Sequence, residues 1–188
     1  TNDDTYNTSF RCIVIDENGN TYISDEAQLL QYTKENIEES YPDFIDYSNI
    51  SDYIDAAIMI ANDDTHGYKN IAGQNLMNPD VDCGSFISFS LILSGYVPSG
   101  FLVEPNDPMT MINALSNYGF TYYSFDESFL QPGDILIQAG HTEMYIGNGM
   151  LVGAHNSKGH PEPGDQGGEV SIINYYNNGW QYIVRYAG

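Results

Sequence analysis

The chain is poor in positive charge: 5 Lys and Arg stand against 26 Asp and Glu in 188 residues, a formal net charge of −21. So acidic a surface repels phosphate backbones and anionic lipid heads, which excludes nucleic acid as a partner and attraction to an anionic membrane. Long apolar runs are missing as well. None reaches the roughly 18 residues that a membrane-crossing helix needs, so no membrane insertion is expected. There is neither an initiator Met nor a charged-then-apolar leader, and the chain reads as soluble and trimmed. Cysteine is scarce. Cys12 and Cys83 are the only two, enough for one disulfide but too few for a disulfide scaffold, so an apolar core must carry the fold. A chain of 188 residues can bury one. What it has in plenty is tyrosine, 16 in all, and glycine, 18, which fits a turn-rich β domain with a surface suited to sugar or peptide contacts.

Residues 1–50 read as an N-terminal extension. Arg11-Cys12-Ile13-Val14-Ile15 and Thr21-Tyr22-Ile23 flank Glu17-Asn18-Gly19-Asn20, whose Asn-Gly step predicts a tight hairpin. Asp16, Asn18 and Asn20 resemble a calcium loop, but the sixth-position glycine and twelfth-position glutamate are missing, so they are read as turn residues. Ala27, Leu30, Thr33 and Ile37 then predict a helix that ends near Tyr41-Pro42.

Residues 51–188 form the main domain. Ser51 is the expected cap of a helix with Ile54, Ala57, Ile58 and Ala61 on one apolar stripe. The loop that follows carries His66 and Tyr68 into Asp82-Cys83-Gly84-Ser85-Phe86, where the chain turns apolar as far as Ser94-Gly95. Asp82 is the expected N-cap of this second helix, which puts Cys83 in the first turn, where unpaired amides and the dipole favour a low-pKa thiolate and can receive an oxyanion. Asp107-Pro108 opens a third helix with Met111, Ile112 and Leu115 inward. Short alternating segments follow, at 122–123, 134–138, 141–146, 150–155, 170–173 and 182–186. Helices first and strands after predict an α+β fold, the cysteine helix packed on an antiparallel β-sheet.

A nucleophilic cysteine needs a base held by a third group. Of His66, His141, His155 and His160, two bracket one hairpin, 141–146 and 150–156, joined at Gly147-Asn148-Gly149. An odd-length loop puts Thr142, Met144, Ile146, Met150, Val152 and Ala154 on one face and His141, Glu143, Tyr145, Gly153 and His155 on the other. A two-residue Asn-Gly turn would instead set Asn156 opposite His141. The odd loop gives the cleaner apolar face and is the expectation.

Three of these stretches, Asp82-Cys83-Gly84-Ser85-Phe86, Gln131-Pro132-Gly133-Asp134-Ile135 and Gly140-His141-Thr142-Glu143-Met144-Tyr145-Ile146-Gly147, come in an order that resembles NlpC/P60 and CHAP-type cysteine peptidoglycan hydrolases, phage endolysin versions above all. Residues 60–68, 152–155, 164–166 and 180–186 extend the likeness over about residues 52–187. The resemblance implies a papain-like α+β fold with Cys83 as nucleophile, His141 as base and a third polar residue on the next strand. Where many members carry that residue this chain has Gly153, so His155, two residues on, takes the role, with Asn156 in reserve. Tyr68, Asp82 and Glu143 are assigned to substrate binding, and neither a metal nor another cofactor is expected.

The expected activity is therefore hydrolysis of an amide bond in bacterial peptidoglycan, as an N-acetylmuramoyl-L-alanine amidase. Alternatives are a stem-peptide or cross-bridge endopeptidase, and an idle wall-binding or virion module. A zinc site of His141, Glu143 and His155 is a further reading, but its spacing matches no HExxH pattern. The place of action would be the bacterial cell wall, for a phage-encoded or secreted protein, with a wall-binding module or an oligomer partner as a further possibility. Because walls are themselves anionic, attachment through bulk charge would need cationic wall groups or bridging Ca²⁺.

Overall fold

Short acidic side chains fix where the helices of the main unit begin. Asp52 caps α1 (Tyr53–Ala61), its carboxylate accepting from the amides of Ile54 and Asp55 at 2.8 and 2.9 Å. The cap is thus Asp52 and not the expected Ser51: a carboxylate satisfies two orphan amides and also complements the positive helix end. Asp82 caps α2 (Cys83–Leu93) through a capping box in which Asp82 Oδ1 accepts from the Ser85 amide at 2.7 Å and Ser85 Oγ accepts from the Asp82 amide at 2.9 Å. Asp107 caps α3 (Pro108–Ser116), with proline at its first position, where a missing N–H costs nothing.

The computed structural model describes residues 52–69, 80–156, 164, 167–177 and 179–188, together with the backbone of residues 12–15, 21–24 and 29–32. The chain divides into two units, Thr1–Asp46 and Tyr47–Gly188. In the first, β1 (Cys12–Ile15), β2 (Thr21–Ser24) and β3 (Leu29–Tyr32) form an antiparallel meander in that order. The expected hairpin is present, with Ile13 opposite Ile23. The helix expected from Ala27 onward is not: Leu30 pairs with Ile23 and Tyr32 with Thr21, because β2 offers a free edge that a weak helical pattern does not outweigh. The later part of that expected helix lies outside the described residues, as do His160 and most of the loop before Gly167.

The second unit is α+β. Its sheet contains β4 (Phe120–Ser124), β5 (Asp134–Gln138), β6 (His141–Gly147), β7 (Met150–Ala154), β8 (Val170–Asn174) and β9 (Tyr182–Tyr186), all antiparallel in the order β4-β9-β5-β6-β7-β8. Strand alternation gives it two apolar faces. One carries Ile135, Ile137, Met144, Val152, Ala154 and Val184 into a core with Phe86, Ile87 and Leu91 of α2 and Ala57 and Ile60 of α1. The other buries Leu136, Leu151 and Ile183 beneath Trp180. Each large side chain taken from water contributes roughly 1.5–3 kcal/mol, so the layer between α2 and the sheet is the main source of stability. No helix among the described residues is long and apolar enough to cross a membrane.

Every residue from Cys83 to Leu91 is buried, so the polar ones must be satisfied. Ser88 Oγ donates to the Gly84 carbonyl at 2.8 Å and accepts from the Val103 amide at 3.0 Å, and Ser90 Oγ donates to the Phe86 carbonyl at 2.8 Å. A Cβ on Gly84 would lie 2.3 Å from the Val103 carbonyl, so only glycine lets the stretch at 103–105 lie against the first turn of α2. The amide of Gly140 in turn donates to Pro105 O at 2.8 Å, which ties the start of β6 to the same stretch.

The β6–β7 hairpin corrects one expectation and keeps its consequence. Asn148 and Gly149 have φ of 52° and 70°, and Gly147 pairs with Met150, so the turn has two residues. A bulge between Tyr145 and Gly147 then restores the register, with Tyr145 opposite Leu151 and Met144 opposite Val152. An extra residue on one strand has the same effect on facing as an odd loop. Thus His141, Glu143, Gly153 and His155 come to one face despite the Asn-Gly turn.

Candidate active site

Cys83 occupies the first position of α2, is 5% exposed and carries a free thiol. The capping box uses the amides of Asp82 and Ser85, which leaves those of Cys83 and Gly84 as the donors of the first turn. The N–H groups of Gly84 and Thr142 both reach the sulfur. Thr142 follows His141 in the chain, so the nucleophile candidate touches β6 one residue from the base candidate.

The thiol is not the low-pKa group expected from its helix position. Burial pushes it up to about 12; Asp82 and Glu104 add to the rise, and the two amide hydrogen bonds oppose it. A helix dipole acts on a partly solvated thiol, whereas here desolvation and two carboxyls outweigh it. Glu104 is a component that sequence reasoning missed: burial, then Asp82, raises its carboxyl to about 7, and its Oε1 is buried without a hydrogen-bond partner. Tyr68 lies close to the thiol, Asp82 and Glu104. Its phenol is pushed up to about 12 by burial and then by Cys83, Asp82 and Glu104, and its amide donates to Glu169 Oε2 at 3.2 Å. The adjacent turn is pinned by buried Asp80, whose Oδ1 accepts from the amides of Gly67 and Gly164 at 3.2 and 2.9 Å. Asp82 is 2% exposed; Oδ1 serves the cap and Oδ2 is buried without a partner.

Glu143 takes a different place from the one expected. Its side chain is fully buried, away from substrate, and its Oε1 accepts from His141 Nε2 at 2.9 Å, His155 Nδ1 at 2.7 Å and the Tyr176 hydroxyl at 3.0 Å. His155 therefore reaches His141 through Glu143, both rings bonding the same carboxylate oxygen. Gly153 explains the room for this: a Cβ there would stand 3.0 Å from Glu143 Cγ. Asn156 is exposed beyond the end of β7. His66 belongs elsewhere, pairing with Asp63 at 3.3 Å.

The His141 ring is also stacked on Trp180, centroids 5.8 Å apart and planes at 22°, and Trp180 Nε1 donates to the Tyr176 carbonyl at 3.1 Å. Tyr176 and Trp180 were not foreseen as site residues. The signal available was weak: Trp180 is the only tryptophan in the chain, and it stands just before the last strand. With Nε2 held by Glu143, the nitrogen of His141 left for a reacting group is Nδ1. Among the described residues, no group of three or more His, Cys, Asp and Glu is placed to hold a metal ion; His141 and His155 share one carboxylate oxygen instead.

Burial by itself would raise the Glu143 carboxyl, but the hydrogen bonds and charges of His141 and His155 bring it down to about 2 from an ordinary 4.5. A depressed folded-state value stabilises the fold above the unfolded value. That contribution is therefore complete above about pH 4.5 and is lost as pH falls towards 2. Urea titrations from pH 5 to 2 should show a shallower fall of stability for Glu143→Gln than for the parent chain. Equal slopes would mean that the carboxylate is not held in this way.

No family model and no curated protein matches the chain.

Proposed function

We propose that this chain is a cysteine-dependent peptidoglycan hydrolase with a papain-like NlpC/P60 fold, cleaving an amide bond as an N-acetylmuramoyl-L-alanine amidase. The observation that carries the reading is the ordered contact Cys83, Thr142 amide, His141, Glu143 at the junction of a buried helix start and a sheet strand. A buried thiol one residue from an imidazole-bearing strand position, the imidazole fixed by a carboxylate, is the equipment of thiol acyl transfer. The ordered motifs around Cys83, Gly133 and His141 support the substrate class.

In this reading the thiol stays protonated until substrate binds, and His141 Nδ1 takes its proton as Cys83 Sγ attacks the carbonyl carbon. The oxyanion is received by the amide of Cys83, a first-turn donor that neither the capping box nor the sulfur uses. His141 then delivers the proton to the departing amine, the C–N bond breaks and a thioester remains. Water, deprotonated by His141, attacks the thioester and restores the thiol. The place of action is the bacterial cell wall, for a phage-encoded or secreted protein, and the partner is the wall polymer. Net negative charge leaves binding to short-range contacts, to which the exposed Tyr122, Tyr123 and Tyr186 are suited.

The test is digestion of purified sacculi followed by mass spectrometry of the soluble products. Stem peptides with a new N-terminal alanine, together with glycan strands that keep free lactyl groups, are expected. New termini within the stem or cross-bridge would place the bond with an endopeptidase, and no released product from walls of several chemotypes would overturn the hydrolase reading.

A further inference from the structure

The hydrogen bonds of His155 fix its proton count. Its Nδ1 lies 2.7 Å from Glu143 Oε1 and its Nε2 lies 3.1 Å from the main-chain carbonyl of Ser171. A carbonyl oxygen only accepts, and Glu143, held as a carboxylate, only accepts as well. An imidazole that faces two acceptors must donate from both nitrogens, and only the imidazolium does so. The ring is further anchored by its backbone, whose amide donates to the Glu169 carbonyl at 2.7 Å. His141, by contrast, needs a single donor, Nε2–H, to meet Glu143 at 2.9 Å.

We propose that Glu143 and His155 form a permanent ion pair that positions His141 and keeps it a neutral base, with Nδ1 left for the reacting group. The proposal rests on the hydrolase reading for its kinetic consequence, but not for its physical content. A lone carboxylate beside His141 would favour the imidazolium, and an imidazolium cannot take a proton from a buried thiol. The charge of His155 cancels that of Glu143. His141 then keeps the orienting hydrogen bond without the full electrostatic pull. The groups that face the carboxylate are His141 of β6, His155 beyond β7 and Tyr176 beyond β8, all on Oε1, while Oε2 is buried without a partner. Tyr176 stays a neutral donor, since burial and then the Glu143 charge raise its phenol. Three donors on one atom make the arrangement stiff, because no ring can move without moving the oxygen that the others hold. His155 and Glu143 are therefore positioning residues that act through His141.

The test has one arm without turnover and one with it. In the full chain labelled with ¹⁵N-histidine, two-bond N–H correlation spectra at pH 7.5 should show His155 protonated at both nitrogens and His141 protonated at Nε2 only. A neutral His155 overturns the proposal whatever the enzyme hydrolyses. In wall digestion, His155→Gln keeps a donor to Glu143 but removes the charge, so the acid limb of the pH profile of kcat/KM should move up by about one pH unit. Its kcat at pH 7.5 should change less than that of Glu143→Gln, which should fall about 10- to 10³-fold with little change in KM. A merely structural role would lower the folded fraction without moving the acid limb. An unmoved limb in folded His155→Gln would overturn the ion-pair assignment while leaving the hydrolase reading intact, whereas an inert parent chain with the expected spectra would do the reverse.

Discussion

Cys83→Ala should lose peptidoglycan turnover by at least about 10⁴-fold and remain folded. The loss is expected to be this large because the thiol is the only nucleophile in the proposed route, and base and oxyanion donors alone leave only a small residual rate. Folding should survive, since the substitution removes a single sulfur atom from a helix whose cap and core contacts lie on other residues. Release of soluble wall fragments and far-UV circular dichroism check the two halves. Full lysis by the folded variant would end the cysteine mechanism. The raised thiol adds a pH dependence. With burial pushing Cys83 to about 12, the thiolate fraction grows throughout the accessible range, so iodoacetamide labelling should keep accelerating from pH 7 to 10. A plateau by pH 7 would mean a preformed thiolate–imidazolium pair.

That thiol also shows where sequence reasoning stopped. Asp82 before an apolar run announces a helix start, and the structure has that cap and that helix. What the local pattern could not contain is Glu104, brought to Cys83 by a stretch that meets α2 only because Gly84 lacks a side chain. Electrostatics depends on residues distant in sequence, whereas capping depends on neighbours. The hairpin tells a similar story. Alternation put His141, Glu143 and His155 on one face, and they share it, although by a bulge that no turn signal announced. Facing follows from period-two geometry and survives a wrong loop length if a bulge supplies the missing residue. The role of Glu143 was harder to read, since it depends on the empty space over Gly153 in the next strand. In the first unit, Ala27, Leu30, Thr33 and Ile37 suggest a helix where β3 pairs with β2, because an open strand edge outweighs a weak periodicity.

Asp134→Ala should cost about 3–5 kcal/mol of folding stability, a large part of what holds a domain of this kind together. Asp134 is fully buried at the start of β5. Its Oδ1 accepts from Arg185 Nε at 2.6 Å, and its Oδ2 accepts from Arg185 Nη2 at 2.8 Å and from the Gln131 amide at 2.7 Å. Arg185 is one of only five basic residues in the chain. The same Nη2 donates to the Phe129 carbonyl at 2.8 Å, and the guanidinium lies 4.5 Å over the Phe129 ring and 5.5 Å from that of Tyr123. Removing the carboxylate leaves the partly buried Arg185 cation among aromatic rings without its partner and frees the Gln131 amide, and the cavity left by the fully buried Asp134 side chain adds to the cost. The double substitution Asp134→Leu with Arg185→Met should recover much of the loss, because it removes both charges while keeping their volume. The consequence for the site is indirect. β5 pairs with β6 from Asp134 opposite Tyr145 to Gln138 opposite His141, so the strand that bears His141 and Glu143 is aligned on the strand that this ion pair anchors. Urea denaturation gives the stability change, and wall hydrolysis per folded molecule should stay close to that of the parent chain. A cost below about 1 kcal/mol would show the pair to be as dispensable as an exposed one, and its anchoring role would fall.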